Sequence, residues 1–268
     1  LELHQALGAR PVAAAALAGG VLACFSFHDP EHLPLGLALT AGLALAFGLR
    51  ALLVPTLEGA VADVAATVSC ILYPGLLMAF QVGIRRLPPD EMGVEHGPAL
   101  LVFLFAAVFG GDAAAYFTGR AVGRTKLAPA ISPGKTVEGF LGGLAGGILL
   151  GLLVATFLPT GLAPAQAAGW AALLAVAGAM GDLSKSLLKR SAHVKDSGHL
   201  LPGHGGVLDR LDGLLFAGPL LYYLVTAGAA RGLGQYRRPR PRTLPLRHRA
   251  AGDRPARTIG TGRGWPPA

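Results

Sequence analysis

The chain has 268 residues, of which 52% are hydrophobic and only 14% charged, against about 25% charged in ordinary soluble domains. Its net charge of +8 looks like a nucleic-acid signal, but residues 231–268 hold ten arginines and one aspartate, a net of +9, which leaves the other 230 residues at −1. A soluble globular domain and a nucleic-acid-binding domain are both excluded, and the absence of strand-length alternation excludes a transmembrane barrel.

The apolar residues fall in blocks. A helix needs about 20 residues to cross a bilayer core, and lipid offers the backbone no other hydrogen-bond partner. The blocks predict helices near 11–27, 33–53, 60–84, 97–118, 139–158, 166–188 and 213–230. The expected fold is therefore all-α, a polytopic integral membrane protein of about seven transmembrane helices. Leu1 stands where a Met would start the chain, so further N-terminal helices are expected to be missing. Residues 1–230 read as a membrane-embedded catalytic domain. Cys24 and Cys70 sit in apolar blocks and give neither zinc spacing nor a disulfide framework.

In the first half, Asp63 lies in an apolar block with no motif around it, and a structural role is the stronger reading. Asp112 follows Phe109-Gly110-Gly111, with Tyr116 at i+4 on the same face. A charged side chain inside a membrane helix is a candidate functional group by default. The loop 119–138 is basic, with Arg120, Arg124, Lys126 and Lys135 against Glu138. Its run Pro129-Ala-Ile-Ser-Pro-Gly-Lys135-Thr136 nearly matches a phosphate-binding loop of nucleotide hydrolases. Pro129 replaces the first glycine, and the run lies between membrane helices rather than after a strand. Lys135 and Thr136 still supply phosphate donors. Gly142, Gly143, Gly146 and Gly147 repeat at four-residue spacing, which allows close helix packing.

The second half is richer. Helical spacing puts Asp182, Ser186 and Lys189 on one stripe. In the following segment Asp209 and Asp212 stand at i, i+3, and Asp196 adds a third carboxylate near the membrane surface. Carboxylate oxygens suit Mg²⁺, which prefers one or two of them plus phosphate oxygens. Lys189, Arg190, Lys195 and Arg210 offset phosphate charge, and Gly203, Gly205 and Gly206 let the backbone approach a phosphate. The set fits metal-assisted phosphoryl or nucleotidyl transfer. His193, His199 and His204 have no helical pairing and no nearby Cys, so a histidine-based zinc site is disfavoured; His199 and His204 serve loop backbone or phosphate instead. Two crossings separate loops 119–138 and 189–212, so these loops share one face, which the positive-inside tendency makes cytoplasmic.

Residues 231–268 are rich in Arg, Pro and Gly with no apolar period, and are expected to be disordered. A full crossing by 213–230 puts their arginines on the face opposite the basic loops. Either that segment does not cross fully or the tail is not native. An Ala/Arg/Pro/Gly mixture is what out-of-frame reading of a GC-rich gene gives.

The run Ser186-Leu-Leu-Lys189-Arg190, then Lys195-Asp196-Ser-Gly, then Leu201-Pro202-Gly-His204-Gly205-Gly206-Val-Leu-Asp209-Arg210-Leu-Asp212 resembles the signature of the phosphatidate cytidylyltransferases. More than ten positions match across the 27 residues 186–212. Upstream, Gly111-Asp112-Ala-Ala-Ala-Tyr116 and Lys126-Leu-Ala-Pro129-Ala-Ile-Ser132-Pro133-Gly-Lys135-Thr136-Val-Glu138 resemble that family's other motif, in the same order. The chain departs from the family where Ala113-Ala114 replaces Thr-Gly and Val137 replaces Trp; neither change removes an ionisable group.

The resemblance implies that CTP and phosphatidate give CDP-diacylglycerol and pyrophosphate in phospholipid biosynthesis. It implies that Asp196, Asp209 and Asp212 hold Mg²⁺, with Asp182 or Asp112 as a further ligand. Two divalent ions or an added monovalent ion stay open. Lys189, Arg190, Lys195, Arg210, His204, Gly205 and Gly206 would bind phosphates, with Lys135 and Thr136 over the nucleotide. Ser186 would orient a phosphate or a metal-bound water. The expected setting is a bacterial inner membrane with the site facing the cytoplasm; homodimerisation is left open. A CTP-dependent kinase of a polyprenol or phytol-type alcohol is the nearest alternative, and an ion-coupled transporter using Asp63, Asp112 and Asp182 is the alternative from another class.

Overall fold

A computed structural model describes residues 9–54, 56–191 and 208–230. Each apolar block satisfies its backbone internally by becoming a helix. In chain order these are α1 (Ala13–His28), α2 (Leu35–Leu53), α3 (Ala60–Arg85), α4 (Gly97–Val122), α5 (Val137–Phe157), α6 (Pro164–Ser191) and α7 (Leu208–Ala230). All but α1 are long and apolar enough to span a membrane, and α7 does so over Leu211–Gly228. The protein is a polytopic, all-helical integral membrane protein, as its composition predicts. Side chains such as Val61, Leu149 and Phe157 face outward, where lipid rather than water is their solvent.

The expected loop 119–138 carries more structure than its sequence suggests. Its first four residues extend α4 to Val122. Lys126–Ala128 (β1) and Ser132–Thr136 (β2) then pair antiparallel, with Lys126 opposite Thr136 and Ala128 opposite Ser132. Val137 N–H donates to the Thr125 carbonyl at 2.9 Å, which carries the pairing into the start of α5. Thr136 caps that helix, its hydroxyl accepting from Gly139 N–H at 3.1 Å. Glu138 accepts from the backbone N–H groups of Arg124 (3.0 Å) and Thr125 (3.1 Å). The hairpin is thus tied to α5 rather than hung between two helices.

Helix α3 changes pitch at Ile71–Leu76, a wide π-turn that contains Pro74. Proline lacks the N–H that would continue an α-helix, and such insertions bend helices. At the membrane end of the amino-terminal helices, Arg50 and Asp63 form a buried ion pair at 2.8 Å. Asp63 also accepts from Arg10 N–H at 2.6 Å. Arg50 donates to the carbonyls of Val54 (2.8 Å), Thr56 (3.0 Å) and Glu58 (3.4 Å). Every partner is structural, and Asp63 stands apart from the site described below.

The carboxyl-terminal helices pack through small residues. A Cβ added at Gly147 of α5 would stand 2.7 Å from the Ala107 carbonyl oxygen of α4 and 3.0 Å from Ala175 Cβ of α6. Glycine there lets three helices meet at backbone distance. A second crossing joins α6 to α7, where a Cβ at Gly181 would run into the Asp212 carbonyl. Around these seams lies an apolar core that includes Leu100, Phe103 and Leu104 of α4, Leu174 of α6, and Leu214 and Leu221 of α7.

Alternate crossings put the hairpin, the end of α6 and the start of α7 on one face. Arg190 Nε reaches the Ile131 carbonyl at 3.4 Å on that face. The connections α3–α4 and α5–α6 share the other, where His96 Nδ1 donates to the Pro159 carbonyl at 2.6 Å and Nε2 lies 3.0 Å from Asp90.

Candidate active site

The two glycine seams fix where the polar groups of the helices meet. Asp182 follows Gly181 on α6, and Asp212 precedes Gly213 on α7, so the close α6–α7 crossing sets the two carboxylates side by side. Asp112 comes from α4, one residue past Gly111, whose Cβ would sit 3.2 Å from the Gly143 carbonyl of α5. All three aspartates line a single cavity of about 790 Å³ at the hairpin end of the bundle. Lys135 enters it from β2, Lys185 from α6 and Arg120 from the last turn of α4. Among the described lining residues three carboxylates therefore face three cations.

The ion pairs are specific. Lys135 Nζ lies 2.7 Å from Asp182 Oδ2. Lys185 Nζ lies 3.2 Å from Asp182 Oδ1 and also contacts Asp212 Oδ2. The other oxygen of Asp212 accepts from Gly213 N–H at 2.7 Å. At the rim Arg120 donates to the Tyr116 hydroxyl at 3.0 Å. Asp112 makes no hydrogen bond or ion pair among the described residues.

Of the residues expected to form a site, Asp112, Asp182, Asp212, Lys135 and Thr136 come together here. Ser186 is half-buried one turn beyond Asp182 and does not line the cavity. Lys189 is half-buried and Arg190 exposed near the end of α6, with Arg190 holding the hairpin turn. Lys195, Asp196, His204, Gly205 and Gly206 lie outside the described residues. Asp209 and Arg210 belong to the first turn of α7, and their side chains also lie outside what is described. Sequence reasoning missed Lys185, which holds the centre of the cluster. The signal was available: a lysine inside a membrane helix, at i+3 from an aspartate.

The acidic donors in this cavity are carboxylate oxygens, with no Cys or His among the described lining residues. That chemistry fits Mg²⁺ rather than a softer ion. Among the described residues no three carboxylate, His or Cys groups gather at metal-ligand spacing. The remaining expected donors, Asp196 and Asp209, come from the adjoining segment.

The class these features define is a polytopic helical membrane protein with a carboxylate–lysine cavity at the hairpin end of its bundle. The profile of the cytidylyltransferase family matches residues 8–227, and the chain belongs to that family. It is 38% identical to the phosphatidate cytidylyltransferase of Bacillus subtilis over 154 residues, 58% of this chain and 55% of that protein. It is 51% identical to that of Brucella suis over 146 residues, 53% of this chain and 51% of the relative. Against that of Synechocystis it is 33% identical over 185 residues, 62% of this chain and 63% of the relative. The chain spans about half the length of the curated relatives it matches.

Proposed function

We propose that this cavity is the transfer site of a phosphatidate cytidylyltransferase, which makes CDP-diacylglycerol and pyrophosphate from CTP and phosphatidate. The observation that carries the reading is the meeting of Asp112, Lys135, Asp182 and Asp212 in one cavity. These residues come from both sequence motifs, and the cavity lies at the surface end of a lipid-embedded bundle. A phosphatidate phosphate can reach such a place from the bilayer, and a nucleotide can reach it from water.

A phosphatidate phosphate oxygen attacks the α-phosphorus of CTP. The new P–O bond forms as the bond to the β-phosphate breaks, and pyrophosphate leaves. The attacking phosphate is already ionised at neutral pH, so positioning and charge stabilisation matter more than a strong base. Lys135 and Arg120, with Lys189, Arg190, Lys195 and Arg210, hold the phosphates. Thr136 fixes the hairpin against α5, so that Lys135 stays over the nucleotide. Asp112, Asp182, Asp196, Asp209 and Asp212 are the oxygen donors available for Mg²⁺, which when bound adds positive charge against the triphosphate. The basic residues gather on the hairpin face, which supports a cytoplasmic site in a bacterial inner membrane.

The test uses purified protein in detergent with Mg²⁺, labelled CTP and either phosphatidate or a polyprenol. Pyrophosphate release that depends on phosphatidate is expected. Release with the polyprenol, or with neither lipid, sinks the assignment.

A further inference from the structure

A buried hydroxyl without a hydrogen-bond partner costs stability, and a fold that keeps one calls for a reason. Tyr73 carries such a group. Its hydroxyl oxygen is buried and has no hydrogen-bond partner among the described residues. Tyr73 stands inside the wide turn Ile71–Leu76 of α3, next to Pro74, and turns of this kind occur often at functional sites. Its ring packs edge-on against Phe216 of α7, with centroids 6.4 Å apart. Phe216 is at i+4 from Asp212, so the two share one face of α7. The charges of Asp212, Lys185 and Asp182 act on the phenol, although Tyr73 is not among the described residues that line the cavity. The group therefore approaches the α6–α7 carboxylates from outside the lining, on a helix that neither sequence motif includes.

We propose that Tyr73 is a positioning residue of the transfer site, whose hydroxyl donates to Asp212 when a divalent ion draws that carboxylate. This rests on the reading of the cavity as a metal-assisted transfer site and adds a residue to it. Asp212 already accepts from Gly213 N–H on Oδ1 and contacts Lys185 through Oδ2. A carboxylate has about four lone-pair sites, so it can take a further donor. Carboxylates that ligate a metal are held by hydrogen bonds from outside the ligand set, and the Tyr73 O–H is a buried donor beside this one. The hydroxyl thus destabilises the metal-free fold and is retained for a bond made in the loaded state.

The full chain in detergent is titrated with Mn²⁺, which takes the same oxygen ligands as Mg²⁺, and the free ion is read by electron paramagnetic resonance. Tyr73→Phe keeps the ring and removes only the hydroxyl. It is expected to bind Mn²⁺ about 10- to 100-fold more weakly than the wild type and, without metal, to melt at or above the wild-type temperature. Unchanged Mn²⁺ affinity overturns the proposal. So does a lower metal-free melting temperature, which would show that the hydroxyl is already partnered. Gln81→Leu is the control. Gln81 stands on the same helix, donates to the Leu214 carbonyl of α7 at 3.0 Å, and also has a buried oxygen without a partner among the described residues. Wild-type Mn²⁺ affinity is expected there; a loss equal to that of Tyr73→Phe would trace the effect to α3–α7 packing and overturn the proposal. Neither measurement needs turnover. The expected loss in Tyr73→Phe, in a protein whose wild type transfers nothing to phosphatidate, would refute the proposed function and leave the role of Tyr73 standing. Phosphatidate-dependent pyrophosphate release by the wild type, with unchanged Mn²⁺ affinity in Tyr73→Phe, would do the reverse.

Discussion

Gly147 offers a test of whether the site depends on how closely its helices approach. It does not line the cavity, yet α4, α5 and α6 all meet there. In Gly147→Ala the new Cβ would begin 2.7 Å from the Ala107 carbonyl oxygen and 3.0 Å from Ala175 Cβ. Carbon–oxygen contacts settle at about 3.3–3.6 Å and carbon–carbon contacts at about 3.5–4.0 Å. The seam must therefore open by roughly 0.5–1 Å. Ala107 lies less than two turns below Asp112 on α4, and Ala175 lies two turns below Asp182 on α6, so the opening moves both aspartates. Overpacking of this size costs about 1–3 kcal/mol, and a misplacement of about 1 Å lowers turnover by roughly 100-fold. Gly147→Ala is expected to insert into the membrane, melt earlier in detergent, and release pyrophosphate from CTP about 10- to 100-fold more slowly. Gly169→Ala on α6 is the control, since its Cβ meets nothing within 4 Å. Wild-type turnover in Gly147→Ala, or an equal loss in Gly169→Ala, would refute the link between seam and site.

Asp209→Asn, chosen for its carboxylate spacing with Asp212, is expected to abolish CTP turnover in phosphatidate micelles while membrane insertion stays intact. Arg50→Met leaves Asp63 buried without its charge partner, and should cost about 3–5 kcal/mol. Adding Asp63→Asn should restore much of that, as thermal melts of the two variants would show. Asp90 accepts from Val94 N–H and from His96, and these bonds, Val94's first, hold its carboxyl below the ordinary carboxylate range. A lowered value in the folded state means stability that is present above the unfolded value of about 3.9 and is lost as pH falls through the folded value below it. The melting advantage of wild type over Asp90→Asn should therefore be constant near neutral pH and shrink below about pH 4; an advantage that grows on acidification would contradict this.

The helices were legible because lipid imposes one rule on every segment that crosses it. The expected spans and the observed helices agree closely from α1 to α6. At α7 the apolar block starts only at 213, while the helix begins at Leu208, as the i, i+3 reading of Asp209 and Asp212 on one helical face requires. Its first turn, Asp209-Arg210-Leu211-Asp212, is too polar to register as membrane helix, yet it continues the same hydrogen-bond ladder. The β-hairpin was not legible. Its strands are three and five residues long, with Pro129 in the turn and Pro133 in β2, and its order comes from bonds to the start of α5 rather than from its own side chains. At the site, the motif residues Asp112, Lys135, Asp182 and Asp212 were all visible as unusual charges. The ion pairs among them were not, because they depend on which helix turns meet at Gly181 and Gly147. Reading the α6 stripe at i+4 favoured Ser186, whereas i+3 serves a helix face equally well and belongs to Lys185.

The balance of charge in the cavity bears on how substrates would enter it. Its lining sets Asp112, Asp182 and Asp212 against Arg120, Lys135 and Lys185, and both lysines are engaged with carboxylates. A balance of charge among the described lining residues suits a pocket at the lipid boundary, because unpaired charge there is costly. Taken by themselves, these six described side chains have little net attraction for two polyanions. On the proposed reaction, further positive charge is available from the nucleotide's own counter-ion and from basic groups that are not among the described lining residues, such as Lys189 and Arg190. Affinity for CTP should then fall when those outer cations are removed. Loss of Lys135 or Lys185 should instead disturb the carboxylates they hold, slowing turnover more than it weakens CTP binding.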